Sequence, residues 1–300
     1  MYMKISYNQA TASECSSLEN DLLLCEKYGF DYIEIRGDML LDYLQDHSIE
    51  ELKSFFHQSH LKPHAINALY LYDDMFHPKK ADVQRDRALL AYFLTCCEVS
   101  RQMGDHYFIV VPHLLDDADN IYLPHDPNNQ MYPHSEEKII ENAVRILRKL
   151  SDIGQRYEMN LAFEPVGSMG SAVKTTKQAM EIIRQVDRQN VGITLDPFNL
   201  HLNGKLNDFS CIREIPKEKI FAVHINNCDD YPLGTLDHCH RRLVDSGEID
   251  LGNYLENVKA TGYDGMISIE TFRPEYYEWE ASQVIAKAYE TTKKVVEEYC

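Results

Sequence analysis

The chain has 300 residues, 44% of them hydrophobic and 26% charged, the profile of an ordinary globular protein able to bury a large core. A formal net charge of −18 and a pI near 5.1 argue against a phosphate-backbone partner, which rewards clustered Lys and Arg, so no nucleic acid is expected. The opening MYMKISYNQA carries no secretory signal and no apolar run approaches the ~20 residues of a bilayer span, so the expectation is a cytoplasmic protein with no membrane partner and eight reduced cysteines.

In chain order, short β-rich runs fall at residues 4–8, 32–36, 64–69, 107–111, 160–163, 191–195, 220–223 and 266–269, each followed by a segment of helical periodicity. Capping boxes, in which side chains satisfy backbone N–H groups orphaned by the first turn, mark three helix starts. They are Ser16-Ser17-Leu18-Glu19, Ser48-Ile49-Glu50-Glu51 and Thr175-Thr176-Lys177-Gln178. Gly29 reads as a left-handed helix stop, and a last helix over 281–299 ends the pattern. Repeated strand–helix units imply parallel strands. Eight units without a composition break fit one closed (β/α)8 TIM barrel of class α/β, a single domain over residues 1–300. The competing architecture, an open doubly wound sheet, is disfavoured because no G-x-G-x-x-G follows the first strand. Long connections at 115–134 and 228–250 fall on the strand C-terminal side, where barrel enzymes cover their substrates.

Four later strands end in residues that bind metals. LAFEPVG supplies Glu164, GITLDPF Asp196, FAVHINN His224 and SIETFRP Glu270. Consecutive strand ends of a barrel face one mouth. Three carboxylates gathered there repel by ~1–4 kcal/mol per close pair, a penalty that a divalent cation removes. One imidazole and three carboxylates suit manganese or zinc, with magnesium and cobalt also open. Taken singly, each of the four is as readily a satisfied polar core residue. Asn8, Glu34, Asn67 and His113 also sit near strand ends, where hydrogen bonding within the barrel layers is the plainer reading. His238-Cys239-His240 lacks ligand spacing, because adjacent side chains rarely converge on one ion. The run from Gly167 to Ser171 matches no phosphate cradle and reads as a turn.

The stretches CEKYGFDYIEIR, LQDHS, KPHAINAL, NVGITLDPFNLH, VHINN and ETFRPEYY carry a resemblance to the xylose-isomerase-like barrel superfamily, most closely to its inosose (2-keto-myo-inositol) isomerases. The resemblance covers essentially the whole chain in one register. It implies Glu164, Asp196, His224 and Glu270 as ligands of one divalent metal ion, and Arg241 in HRRLVDSGEID as the cation that orients substrate. Asn199, His201 and Asn67 join Arg241 as expected substrate contacts. Two departures stand out. Related enzymes commonly place His three residues after the metal-binding Asp, where this chain has Asn199, which cannot take up a proton. Val244-Asp245-Ser246 stand before Gly247 where relatives usually have Pro and Gly.

The expected chemistry is isomerisation or epimerisation of a keto-polyol, 2-keto-myo-inositol or a similar keto-sugar. The metal would act as Lewis acid on the carbonyl and the developing enediolate, while Glu164 and Glu270 remove and return the proton. The alternative is a metal-dependent dehydratase or lyase acting on a keto-inositol or 3-keto-glycoside. An abasic-site nuclease of the same superfamily is opposed by the negative charge, and a catalytically silent sugar-binding barrel is the reading from outside enzymes. The expected partner is a small keto-sugar or keto-inositol; a homo-oligomer is compatible with the sequence, which shows no interface.

Overall fold

Apolar strands separated by amphipathic helices can bury both faces of a parallel sheet only by closing it or by layering helices on both sides. This chain closes it. The computed structural model describes residues 3–115, 132–202 and 207–300. Its strands are β1 (Lys4–Asn8), β2 (Tyr32–Arg36), β3 (Lys62–Tyr70), β4 (Tyr107–Val111), β5 (Asn160–Phe163), β6 (Val191–Leu195), β7 (Ile220–Ile225), β8 (Asn227–Cys228), β9 (Arg241–Arg242) and β10 (Met266–Ile269). Eight of them form a closed parallel barrel in the order β1-β10-β7-β6-β5-β4-β3-β2, and β8 and β9 pair antiparallel as a small hairpin above it. The helices are α1 (Leu18–Tyr28), α2 (Gly37–Asp46), α3 (Ile49–Gln58), α4 (Val83–Met103), α5 (Glu136–Gly154), α6 (Thr176–Val186), α7 (Pro197–His201), α8 (Leu251–Ala260), α9 (Pro274–Tyr277) and α10 (Ala281–Tyr299).

Two strands run longer than the sequence suggests. Pro63, which cannot donate to a ladder, discourages extending β3 toward Lys62, yet it is accommodated beside a register shift between Ile33 and Glu34. The polar His224 looks like the end of β7, but the pairings Ser268↔His224 and Ile269↔Ile225 carry the strand two residues further. The first capping box does not form. Ser17 rather than Ser16 caps α1, accepting from the Asn20 amide at 3.3 Å, and Ser16 donates instead to Asp21. The boxes at Ser48/Glu51 and Thr175/Gln178 form as expected, and Gly29 ends α1 at φ 98°. All eight cysteines are free thiols. No helix among the described residues is long and apolar enough to cross a membrane. The connection expected over 115–134 lies largely outside the described residues.

Side-chain alternation divides the interior into two layers. On β4, Phe108 and Val110 join the large core between sheet and helices, while Ile109 and Val111 face inward with Ala65, Ala162 and Ala222. The same period of two sends Ile267 and Ile269 outward and so turns Ser268 and Glu270 toward the barrel axis. The apolar burial that stabilises the fold, worth roughly 25 cal/mol per Å², comes mainly from the outer layer, while the inward face also carries polar groups.

One buried acid sits within that outer layer. Asp21, on α1, is fully buried and accepts hydrogen bonds from Gln9 Nε2 at 2.7 Å and from Ser16. Burial raises its carboxyl to about 7 despite those two bonds. An acid raised in the folded state holds a proton that the unfolded chain, with its carboxyl near 3.9, has already lost. Stability from this group therefore falls as pH rises from about 4 to about 7 and is flat above. Replacing Asp21 by Asn should abolish that slope. Parent minus variant stability, read from denaturant melts across this window, should decline by about 1.4 kcal/mol per pH unit, and parallel curves would show that Asp21 is ionised throughout.

Candidate metal centre

The inward positions at the C-terminal ends of β5, β6, β7 and β10 carry the four residues singled out from the sequence. Glu164 directly follows β5, Asp196 caps α7 just beyond β6, His224 lies on β7, and Glu270 follows β10. Each offers one ligand atom, and these atoms lie within 4.8 Å of one another; all four residues are buried. Among the described residues this is the one such group.

The orientation of His224 decides what the group can hold. Its Nε2 faces Glu34, with Oε1 at 3.1 Å and Oε2 at 3.2 Å, while its Nδ1 is buried without a hydrogen-bond partner among the described residues. That nitrogen faces Glu270 Oε2 at 3.4 Å, Glu164 Oε1 at 3.6 Å and Asp196 Oδ2 at 3.8 Å. These gaps exceed a hydrogen bond but approach the ~3.4 Å between two donors that each lie ~2.1 Å from one tetrahedral ion. A free imidazole nitrogen amid three carboxylate oxygens fits a divalent cation, and its other nitrogen on a carboxylate is the usual way a ligating histidine is oriented.

A shell of amides and one cation braces the carboxylates. Asn8 Nδ2 donates to Glu34 Oε1 and Glu270 Oε1, both at 2.9 Å, and Asn67 Nδ2 donates to the same two oxygens at 2.9 and 3.0 Å. Asn199 Nδ2 reaches Glu164 Oε1 at 3.0 Å, and its backbone N–H donates to Asp196 Oδ1 at 2.8 Å. Arg241, presented by the β8–β9 hairpin and 1% exposed, donates through Nη1 to Glu270 Oε2 at 2.7 Å and Asp196 Oδ2 at 2.9 Å. Its guanidinium lies 5.0 Å from the Phe198 ring centre and 5.3 Å from that of Phe272.

The electrostatics separate the acids. Burial raises Glu164 to about 7, against the pull of His224. Burial also works to raise Glu270, but His224 and Arg241 outweigh it and hold that carboxyl well below the usual range. For His224 burial opposes the charge, and Glu34, Glu270 and Glu164 together overcome it.

Asn67 and Asn199 therefore stand at the cluster with amides engaged on its carboxylates, and Arg241 bridges two of its acids. His201, the last residue of α7, is buried, and its Nδ1 has no hydrogen-bond partner among the described residues, the cluster included. His113 bonds Tyr132 and faces Asp73 at 3.5 Å, so it belongs to a separate network. His238 packs between Phe198 and Phe272 while His240 Nδ1 accepts from the Asp237 amide, so the HCH triplet does not converge. The turn at Gly167 has a structural duty. A Cβ there would lie 2.0 Å from the Asn199 carbonyl oxygen, and the Gly167 N–H donates to Asn199 Oδ1 at 3.2 Å. Sequence reasoning passed over Asn226, whose Nδ2 donates to Asp196 Oδ2 at 2.8 Å; its spacing two residues after His224 on the same strand face was the available signal.

Known proteins share this architecture over its full length. Inosose isomerase from Bacillus velezensis is 36% identical over 298 residues, covering 99% of this chain and 98% of that protein. The Bacillus subtilis inosose isomerase is also 36% identical over 298 residues, with 99% of both chains covered. A crystal structure of the IOLI protein with a bound zinc atom superposes with a TM-score of 0.86 at 36% identity, again over 99% of both chains. The xylose isomerase-like TIM barrel family matches residues 22–295, and this chain belongs to that family.

Proposed function

We propose that this protein is a metal-dependent isomerase of a keto-polyol, with 2-keto-myo-inositol or a close relative as substrate, working in the breakdown of inositol. The observation that carries the reading is the buried group of Glu164, Asp196, His224 and Glu270, with a free His224 nitrogen, in a chain that matches inosose isomerases from end to end.

Those four residues would hold the ion, zinc or manganese by donor set. When bound, it supplies Lewis-acid polarisation of the substrate carbonyl. The remaining work falls to this chain's own groups. Glu164 and Glu270 come from β5 and β10, which are not neighbours in the barrel, so their carboxylates meet a substrate from different sides. In this reading one takes the proton from the hydroxyl-bearing carbon next to the ketone, the other returns a proton to the former carbonyl carbon, and the hydroxyl proton passes to the former carbonyl oxygen. Asn199 and Asn67 hold these carboxylates through amide donors, and neither amide takes part in proton transfer. Arg241, already charge-matched by Asp196 and Glu270, holds a substrate oxygen by hydrogen bonding. Its charge is thus balanced within the site, which favours an uncharged polyol over a phosphorylated sugar.

Glu270→Gln should lower turnover of 2-keto-myo-inositol by at least ~10²-fold, and solvent deuterium incorporation beside the ketone should fall with it. Activity close to the parent would remove Glu270 from proton transfer. Arg241→Ala should raise KM or lower kcat/KM at saturating zinc; a change confined to zinc affinity would contradict its substrate role. Glu34→Gln, which disturbs the acceptor for His224 Nε2, should weaken zinc binding by roughly 10- to 100-fold in a chelator competition titration. Unchanged affinity would show that Glu34 does not orient the imidazole.

A further inference from the structure

Beneath the metal centre the barrel axis carries polar atoms that the reaction does not use. Ser6 and Ser268 are paired neighbours on β1 and β10, and Ser268 is in turn paired with His224 on β7. Both serines share the inward face with Asn8 and Glu270, since Ile5, Tyr7, Ile267 and Ile269 pack in the outer core. Ser6 is 0% and Ser268 1% exposed, and neither hydroxyl has a hydrogen-bond partner among the described residues. His64 lies at the register shift of β2 and β3, 4% exposed, its ring 6.3 Å from Tyr32 and 5.3 Å from Tyr107. Its Nε2 is likewise buried without a partner.

Glu34 has spare capacity on the same axis. Its Oε1 accepts from Asn8, Asn67 and His224, whereas among the described residues Oε2 accepts only from His224, at 3.2 Å. A fully buried carboxylate oxygen ordinarily takes more than one long bond. Burial lowers His64 to about 4, with Glu34 pulling the other way and His224 adding to the fall, so the ring is neutral and its Nε2 is free to donate or accept. The inward residues around it include the small Ala65, Ala162 and Ala222 beside Ile109 and Val111. From below, a cleft of about 300 Å³ lined by His64, Tyr107, Tyr263 and Met266 reaches the same histidine. Buried polar atoms in native proteins are nearly always satisfied, by water where no side chain serves, and such a water needs two to four polar partners.

We propose that the closed half of the barrel holds internal water seated on Ser6 Oγ, Ser268 Oγ, His64 Nε2 and Glu34 Oε2, and that His64 is through this water a positioning residue for Glu34 and hence for the His224 imidazole. The consequence for metal binding rests on the reading of the four-residue cluster as a metal centre; the water site itself does not.

The test pairs a crystal structure at a resolution that shows water with zinc titrations of variants. Ordered water within hydrogen-bond distance of His64 Nε2 or of both serine hydroxyls is expected; direct bonds from these atoms to protein groups, with no water between, would overturn the site. His64→Phe keeps the ring but removes both nitrogens, and should weaken zinc binding about tenfold and alter the visible spectrum of the cobalt-loaded protein. His64→Gln, which retains a polar terminus, should restore affinity to within about threefold. Parental affinity and spectrum in His64→Phe, or equal losses in both variants, would overturn the positioning role. Should His64→Phe fail to fold, the Ser6→Ala/Ser268→Ala pair carries the same test: loss of the ordered water with weakened zinc binding is expected, and parental affinity would overturn the role. Zinc binding absent from the parent itself would sink the metal reading while leaving the water site to crystallography.

Discussion

Repulsion among buried carboxylates is the constraint around which this barrel is arranged. Glu34, Glu164, Asp196 and Glu270 are all at most 5% exposed, and acids so placed are tolerated only where positive charge and N–H donors surround them. Each carboxylate meets a specific compensation: His224 and two amides for Glu34, Asn199 for Glu164, Arg241 for Asp196 and Glu270. Asn8, Asn67 and Arg241 each serve two carboxylates at once, so the inner shell acts as a unit rather than as separable contacts.

The outer layer solves a different problem. Apolar strand faces and amphipathic helices bury against each other with no chemical specificity beyond shape, which leaves the axis free to be polar. The division explains why the strand-end residues could be chosen for chemistry without compromising the core. The caps of α3 and α6, the Gly29 stop and the phase of β4 all follow from local rules.

Legibility in the sequence tracks the range of the interaction. Strands were readable where apolar runs had clean ends, as at Asn160–Phe163 and Met266–Ile269, and misjudged where a polar or imino residue belonged to the strand, as at His224 and Pro63. Glu164, Asp196, His224 and Glu270 stood out because all four combine a ligand type with the same position after an apolar run, and period two fixes the direction of each side chain. The bracing groups are less legible, since Asn8, Glu34 and Asn67 read as residues that hydrogen-bond within the barrel layers. The position of an Asn8 or Asn226 amide near a strand end is visible in the sequence, but its acceptor is not, because a neighbouring strand supplies it. The partner of Asn8 in Glu270, just beyond the adjacent β10, lies 262 residues away in sequence. Likewise the one-residue shift from Ser16 to Ser17 at α1 depends on Asp21 capturing the first hydroxyl, a contest between side chains that spacing alone does not decide.

The crossing of Gly167 and Asn199 has a consequence for how such a protein can change. The segment leaving β5 lies against the first turn of α7 so closely that no side chain fits between them, and the same asparagine touches an acid on each segment. The two loops therefore form one mechanical piece. Remodelling the pocket by grafting either loop alone from a cousin would import a mismatched half, and divergence here should proceed by exchanging both together.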